Sequence, residues 1–181
     1  MPPPPCELFI ATSAEAPGLS LGETPTFLNG INLAWVRYPD FAGSSGAGLS
    51  EAALPSVCGV EEAMRFLVAN GGNALRVWML QEPSETLKWR NGLVEGLANG
   101  VLLMAKTILE LAVYYRVRVV FVLFNGALVR GPAACSLFSR EDVLASLVEH
   151  AIEPLARELR GHASLAMWEV LNEGEGIVDS S

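Results

Sequence analysis

Four short apolar stretches alternate along the chain with longer segments in which apolar residues recur at helical spacing. The short stretches are rich in β-branched or aromatic residues and are bounded by Gly, Asn or Pro, which is typical of strands. They are Phe27–Trp35, Asn73–Leu80, Val117–Phe124 and Leu165–Leu171. The third is continuously apolar, as expected of a parallel strand that is buried on both faces.

The segments between these strands predict three helices, over residues 60–70, 101–116 and 139–160. The first begins with acidic residues and is followed by Gly71 and Gly72, which matches the charge and C-cap preferences of helices. The third opens with Ser139-x-x-Asp142, a pattern similar to a capping box. Pro154 predicts a kink in this helix near His150, because the proline ring clashes with the carbonyl four residues earlier.

The spacing of the strands indicates the fold class. Their centres at Ile31, Val77, Phe121 and Trp168 are 46, 44 and 47 residues apart. A βα unit with short loops takes about 30 residues, so each unit here carries a long loop, mainly after its strand. Eight units of about 45 residues would form a decorated (β/α)₈ barrel, with its ligand site beyond the carboxyl ends of the strands. The predicted fold is therefore α/β: the amino-terminal half of a TIM barrel, with four parallel strands and three helices.

Two regions are predicted along the chain. Residues 1–26 contain six of the eleven prolines and are expected to be an extended lead-in. Residues 27–181 are expected to form the partial barrel domain, truncated after the fourth strand. A barrel stopped at half would have open sheet edges, which predicts self-association through those edges.

Composition and charge narrow the classes of partner. The 181 residues include 12 basic and 20 acidic side chains, a formal net charge of −8, which argues against a surface that neutralises nucleic-acid phosphates. The longest strictly apolar runs, such as Val119–Phe124, are far shorter than the ~18–20 residues of a membrane span. Neither a nucleic acid nor a membrane is a predicted partner.

Residues that bind metals or form disulfides are few. Cys6, Cys58 and Cys135 contain no CxxC pair, and an odd number cannot close a disulfide framework, so their burial as small hydrophobic side chains is expected. His150 and His162 have no cysteine or carboxylate at ligand spacing. No metal site and no cofactor is predicted.

The strongest chemical signal is the sequence WEVLNEG at residues 168–174, in which a strand runs directly into an Asn-Glu pair. A carboxylate on a buried strand is costly unless it has a partner. Glu169 lies four residues before Glu173 on the same side of the strand, so it would lie about 13 Å deeper. We expect Glu169 to lie inside the barrel, paired with a cation such as Arg76.

At these residues the chain resembles glycoside hydrolase family 5, whose members have β/α-barrel folds, and within it the endo-β-1,4-mannanases. The segment FLNGINLAWVRYPDFAG (27–43) resembles the family's first strand and the loop after it. The segment GGNALRVWML (71–80) resembles the second strand with its arginine, and WEVLNEGEG (168–176) the fourth. The resemblance covers about residues 27–177 and corresponds to the family's amino-terminal half.

The resemblance implies a role for three residues by their position. Glu173 matches the general acid/base, Asn172 the residue that hydrogen-bonds the sugar 2-hydroxyl, and Arg76 the arginine near the nucleophile. Where the family usually has proline after Asn-Glu, this chain has Gly174, which is expected to loosen the loop that carries Glu173.

The reaction implied by the resemblance is hydrolysis of O-glycosyl bonds in a β-1,4-linked, mannan-like polysaccharide by a retaining two-glutamate mechanism. Retention needs two carboxyl groups about 5–5.5 Å apart, and inversion about 6.5–9.5 Å. Glu169 is too deep for either spacing, and Glu82 and Glu175 are the other acids near strand ends. In the family the nucleophilic glutamate comes from the seventh strand, which this sequence does not contain, so the chain alone is expected to be inactive.

Aromatic residues near the predicted strand ends agree with a sugar site, because flat rings suit the C–H faces of pyranoses. Trp35, Trp78 and Phe124 lie at or near strand ends, and Tyr38, Phe41 and Trp89 in the following loops. Core packing is the alternative: it is preferred for Trp168, while both interpretations stay open for Trp35 and Trp89. These last two are the candidate substrate-binding aromatics.

Two other functions stay open at this point. The chain could be a non-catalytic carbohydrate-binding or regulatory fragment that keeps the sugar-facing aromatics. It could also be a self-contained four-stranded α/β domain that binds an unrelated small molecule. The chain's start has no recognisable signal peptide, whereas the family is usually secreted, so no compartment is predicted.

Overall fold

The computed structural model of the chain describes residues 10–12, 18–22, 24–37, 54–126 and 132–175. A short π-helical turn over Val148–Ile152 joins two of the helices. In chain order, the elements are β1 (Ile10–Thr12), β2 (Leu19–Leu21), β3 (Thr24–Thr26), β4 (Gly30–Leu33), α1 (Leu54–Ala69), β5 (Ala74–Trp78), α2 (Pro83–Thr86), β6 (Leu87–Arg90), β7 (Leu93–Leu97), α3 (Val101–Tyr115), β8 (Arg118–Asn125), α4 (Pro132–Ser139), α5 (Glu141–Leu147), α6 (Glu153–Leu159) and β9 (Leu165–Asn172).

The central element is a four-stranded parallel sheet with the order β4-β5-β8-β9. All four strands overlap the stretches predicted from the sequence, with bounds that differ by at most three residues, and their order in the sheet follows their order along the chain. Sequential parallel strands joined by helices are the arrangement of a (β/α)₈ barrel. The predicted half-barrel architecture is confirmed.

One hydrophobic core fills the space between this sheet and its helices. Met64 of α1, Ile108 of α3 and Leu155 of α6 belong to the same buried cluster as Leu75 of β5 and Phe121 of β8. Trp168 packs against Phe121 with ring centroids 5.7 Å apart, which confirms its predicted place in the core. Because strand residues alternate, residues such as Arg76 lie on the opposite face of the sheet, away from these helices.

The predicted third helix is present over residues 141–159, where α5, the π-helical turn and α6 follow one another without a gap, and a separate helix, α4, precedes it. Ser139 ends α4 and its hydroxyl donates to the carbonyl of Cys135, so the predicted capping box is wrong. Arg140 is the residue that precedes α5 instead. The kink expected from Pro154 takes the form of the π-helical turn, because a proline lacks the N–H that would continue the α-helical ladder.

Two small antiparallel sheets lie outside the central one. Within the predicted lead-in, β1, β2 and β3 form a three-stranded meander. The long loop after β5 contains α2 and the hairpin of β6 and β7, whose turn has left-handed φ values at Asn91 and Gly92. The hairpin packs against α5 and the π-helical turn.

The prediction that the cysteines are buried is wrong for the two that the structure describes. Cys58 on α1 and Cys135 on α4 are both exposed, and neither forms a disulfide. Cys6 lies outside the described residues, as do Tyr38 and Phe41. None of the helices in the described ranges is long and apolar enough to cross a membrane.

Candidate active site

Arg76 organises a polar cluster on the face of the sheet opposite the helices. Its Nε donates to Glu169 Oε2 at 2.8 Å, and its Nη2 donates to Glu169 Oε1. This bidentate pair joins β5 to β9 across the intervening strand β8, and it confirms the partner predicted for Glu169. A planar guanidinium matches a carboxylate in this fork arrangement, which fixes both side chains.

Three asparagines extend the cluster to the other strands of the sheet. Arg76 Nη1 donates to Asn32 Oδ1 at 2.7 Å, and Arg76 Nη2 donates to Asn172 Oδ1 at 2.8 Å. Asn172 Nδ2 in turn donates to Asn125 Oδ1 at 2.9 Å, across the β8–β9 pair that sets these two residues side by side. One network therefore links all four strands of the sheet.

Glu173 follows this network directly, as the first residue after β9. Its side chain is exposed, and among the described contacts its carboxylate has no hydrogen-bond or ion-pair partner. Its φ is +50°, in the left-handed region that few non-glycine residues adopt. The residue before a proline is pushed toward extended conformations, so Gly174 is compatible with this backbone where a proline would oppose it.

Gly126, the first residue after β8, allows the Glu173 backbone to come close. A Cβ at position 126 would lie 2.2 Å from the Glu173 carbonyl oxygen, well inside van der Waals contact. The Asn125–Asn172 hydrogen bond joins the ends of β8 and β9, and the glycine at position 126 leaves room for the Glu173 backbone beside it.

Aromatic rings border the cluster at the ends of β4 and β5. Trp78, the last residue of β5, lies over the guanidinium of Arg76, with the Cζ atom 5.7 Å from its ring centroid. Trp35 meets Trp78 edge to face, with centroids 5.6 Å apart and an interplanar angle of 77°. Trp35 is 42% exposed, so it is the ring of this pair that a ligand can reach.

Trp89 has different surroundings. It lies on β6 in the hairpin, and its indole N–H donates to the carbonyl of Pro83 at 3.0 Å. It is half-buried against the hydrophobic core. The described contacts bring Arg76, Asn172 and Trp35 into one region with Glu173 beside it, and none of them joins Trp89 to that region.

Asn32 and Asn125 were not predicted from the sequence to belong to the site. Each is a polar residue in a mostly apolar strand, and this is the signal that could have indicated them. Asn125 is buried, and a buried amide has to find partners. Their roles depend on the register between strands, which sequence alone does not specify.

The described strand ends offer few other titratable groups. Glu82, beyond β5, accepts a hydrogen bond from the Ser84 hydroxyl at 2.7 Å. The strand β8 separates β5 from β9, so at ~4.8 Å per step the strand that precedes Glu82 is about 10 Å from the strand that precedes Glu173.

Within the described ranges, no group of three or more His, Cys, Asp or Glu side chains could hold a metal ion.

The proteins similar in sequence to this chain share one named activity. No family model matches the chain. It is 29% identical over 180 residues to a mannan endo-1,4-beta-mannosidase of Mytilus edulis, covering 94% of this chain and 47% of that protein. It is 32% identical over 160 residues to the Cryptopygus antarcticus mannan endo-1,4-beta-mannosidase, covering 87% of this chain and 40% of that protein.

Solved structures agree with these sequences. The β-1,4-D-mannanase of Cryptopygus antarcticus superposes with a TM-score of 0.83 at 29% identity, covering 93% of this chain and 45% of that one. The endo-1,4-β-mannanase of Eisenia fetida gives a TM-score of 0.82 at 27% identity, covering 92% and 45%. The chain spans about half the length of the relatives it matches. It is a homologue of the endo-β-1,4-mannanases and has the fold of the amino-terminal half of their barrel, as the resemblance to glycoside hydrolase family 5 predicts.

Proposed function

We propose that this chain carries the acid/base half of a glycosidase site for β-1,4-linked, mannan-like polysaccharide, with the nucleophilic carboxylate supplied from outside its residues. The observation that carries the proposal is the network of Arg76, Asn172 and Glu169, which ends beside Glu173 at the carboxyl edge of a half barrel. Parallel α/β barrels bind their substrates at that edge. The homology to mannanases supports mannan as the substrate class.

Glu173 has the properties that a general acid/base needs at this place. Its carboxylate is exposed and unpaired among the described contacts, so it can approach a glycosidic oxygen without first breaking an ion pair. As the acid it protonates the leaving oxygen, and as the base it then takes a proton from the attacking water.

Asn172 is held in one orientation and still has a donor to offer. Its Oδ1 accepts from Arg76, and one hydrogen of its Nδ2 goes to Asn125. An amide nitrogen carries two hydrogens, so the second can donate to a sugar hydroxyl. Arg76 fixes the orientation of Asn172 and neutralises the charge of Glu169, so it positions the residues next to Glu173.

The second carboxylate of a retaining mechanism does not come from the described residues. Glu169 is paired with Arg76, and Glu82 follows a strand about 10 Å from β9, well beyond the ~5–5.5 Å that retention requires. Glu175 follows Glu173 by two residues on the same strand end, whereas the two carboxylates have to flank the sugar. The chain alone is therefore expected to bind and not to hydrolyse.

A chimera tests this function directly. Residues 27–175 replace the corresponding half of the Cryptopygus antarcticus mannanase, and turnover on β-mannan is measured with circular dichroism as the check of folding. We expect turnover, and a loss of about 10²–10⁴-fold in Glu173→Gln. The loss should be smaller on aryl glycosides, whose leaving groups need less protonation.

Glu175→Gln is the matched control, because it removes the neighbouring carboxylate and should leave turnover unchanged. A folded chimera in which Glu173→Gln and Glu175→Gln behave alike would contradict the proposed role of Glu173. A folded chimera that binds mannan without turnover in any form would favour the alternative, a non-catalytic carbohydrate-binding chain.

A further inference from the structure

Trp78 carries a buried donor without an acceptor. The residue is 8% exposed, and its indole Nε1 is the only buried side-chain nitrogen or oxygen without a hydrogen-bond partner among the residues that the structure describes. An indole N–H can only donate, so it needs an acceptor. Burying such a group without one is unfavourable, and an orphan of this kind in a polar region points to a partner that comes from elsewhere.

The position of Trp78 indicates what that partner is. Trp78 shares the face of β5 with Arg76 and lies one step nearer the carboxyl edge. Its other neighbour, Trp35, is the half-exposed ring at the same edge. Trp78, which carries the orphan donor, therefore lies between Arg76 and the half-exposed ring of Trp35.

We propose that Trp78 is a substrate-binding residue of this site, whose indole N–H donates to a hydroxyl oxygen of a β-1,4-linked sugar stacked at Trp35. This inference rests on the proposed function and adds a residue to its binding surface. The guanidinium of Arg76, 5.7 Å from the Trp78 ring, disfavours a cationic ligand group there. A neutral hydroxyl both accepts from the indole and tolerates that charge.

The contact between the two rings explains how a ligand reaches a covered donor. Trp35 touches Trp78 by an edge-to-face contact, which a sugar ring can replace with a contact of similar area. The same geometry also permits an alternative, in which the Trp78 N–H points at the π face of Trp35 and stays there. The two cases differ in whether the N–H gains a new acceptor when ligand binds.

The test uses the indole N–H signals of the intact chain, which contains four tryptophans. The ¹⁵N–¹H signal of Trp78 is assigned from Trp78→Phe, or by exclusion from Phe variants at the other three positions. On titration with mannohexaose we expect this signal to move downfield and its exchange with water to slow. Trp168 faces the helices and should not respond.

Affinity gives a second, independent measurement. Trp78→Phe keeps the ring and removes only the N–H, so mannohexaose should bind about 2- to 10-fold more weakly, the loss of one neutral hydrogen bond. Trp168→Phe is the matched control and should bind as the parent does.

Binding that leaves both the Trp78 signal and the affinity of Trp78→Phe unchanged would overturn the inference and leave the proposed function intact. If neither calorimetry nor spectroscopy detects binding of mannohexaose to the chain, both the inference on Trp78 and the proposed function are contradicted.

Discussion

The ion pair of Arg76 and Glu169 should be the strongest side-chain coupling between strands of the described sheet, and a double-mutant cycle measures it. The variants are Arg76→Met, Glu169→Leu and the combination of the two. Arg76 makes four hydrogen bonds, two of them to Glu169, and the two side chains are only 25% and 35% exposed. Breaking a fully buried pair costs about 3–5 kcal/mol, whereas exposed pairs couple by about 0.2–1 kcal/mol.

The intermediate exposure places this pair between those limits. We expect Arg76→Met alone to lower the free energy of unfolding by about 2–3 kcal/mol, because it leaves the Glu169 carboxylate unpaired and removes the anchor of Asn172. The double variant should be less destabilised than the sum of the single ones, with a coupling energy of about 2 kcal/mol. Urea unfolding followed by circular dichroism gives the three values.

Arg90 and Glu95 provide the matched control cycle. Their nitrogen and oxygen atoms are 2.7 Å apart, but the side chains are 71% and 40% exposed on the hairpin. Their coupling energy should stay below about 1 kcal/mol. Effects at Arg76 and Glu169 that add to within about 0.3–0.5 kcal/mol would refute the reasoning, since additivity means that the pair does not act as a unit.

Three further outcomes follow from other parts of the structure. Gly126→Ala should lower the free energy of unfolding by about 1–3 kcal/mol, because the new methyl group would collide with the Glu173 backbone. Gly92 lies in open space, so Gly92→Ala should cost only about 1 kcal/mol, for the left-handed φ at that position. Urea unfolding of the two variants compares these values. The hydrogen bond from the Lys106 ammonium holds the pKa of the Glu158 carboxyl below its usual range, so Lys106→Met should raise that pKa in an NMR titration. The stabilisation from this pair is present at neutral pH and is lost as the pH falls through the lowered pKa. Finally, β4 and β9 have no further strand partner among the described residues, so light scattering should show self-association and an apolar dye should bind; a dye-silent monomer would contradict this expectation.

The parallel sheet could be predicted from the sequence because its signals are local and strong. The run VRVVFVLF is almost continuously apolar and β-branched, which is typical of a parallel strand buried on both faces. The long loops after the strands indicate the edge of the sheet at which a site can lie. The pairing of Glu169 with Arg76 followed from the cost of an unpaired buried charge, which applies before any register is known.

The remaining features depend on information that the sequence pattern does not contain. The strands β1 to β3 are three residues each, too short to show alternation. The capping pattern at Ser139 was misleading because the same hydroxyl can close the last turn of a preceding helix. The left-handed φ of Glu173 and the close approach of its backbone to Gly126 occur where the ends of β8 and β9 meet, and sequence pattern does not specify such tertiary contacts.

The central proposal is that this chain supplies the acid/base and binding residues of a mannanase-like site, and that the nucleophile comes from outside the residues that the structure describes. Its most direct test is hydrolysis of β-mannan and of mannohexaose by the purified chain, with Glu173→Ala as the control. The account predicts bound oligosaccharide and no product in either protein. Product that forms with the parent chain and disappears in Glu173→Ala would contradict the account, because it would show that a second carboxylate of this chain completes the site.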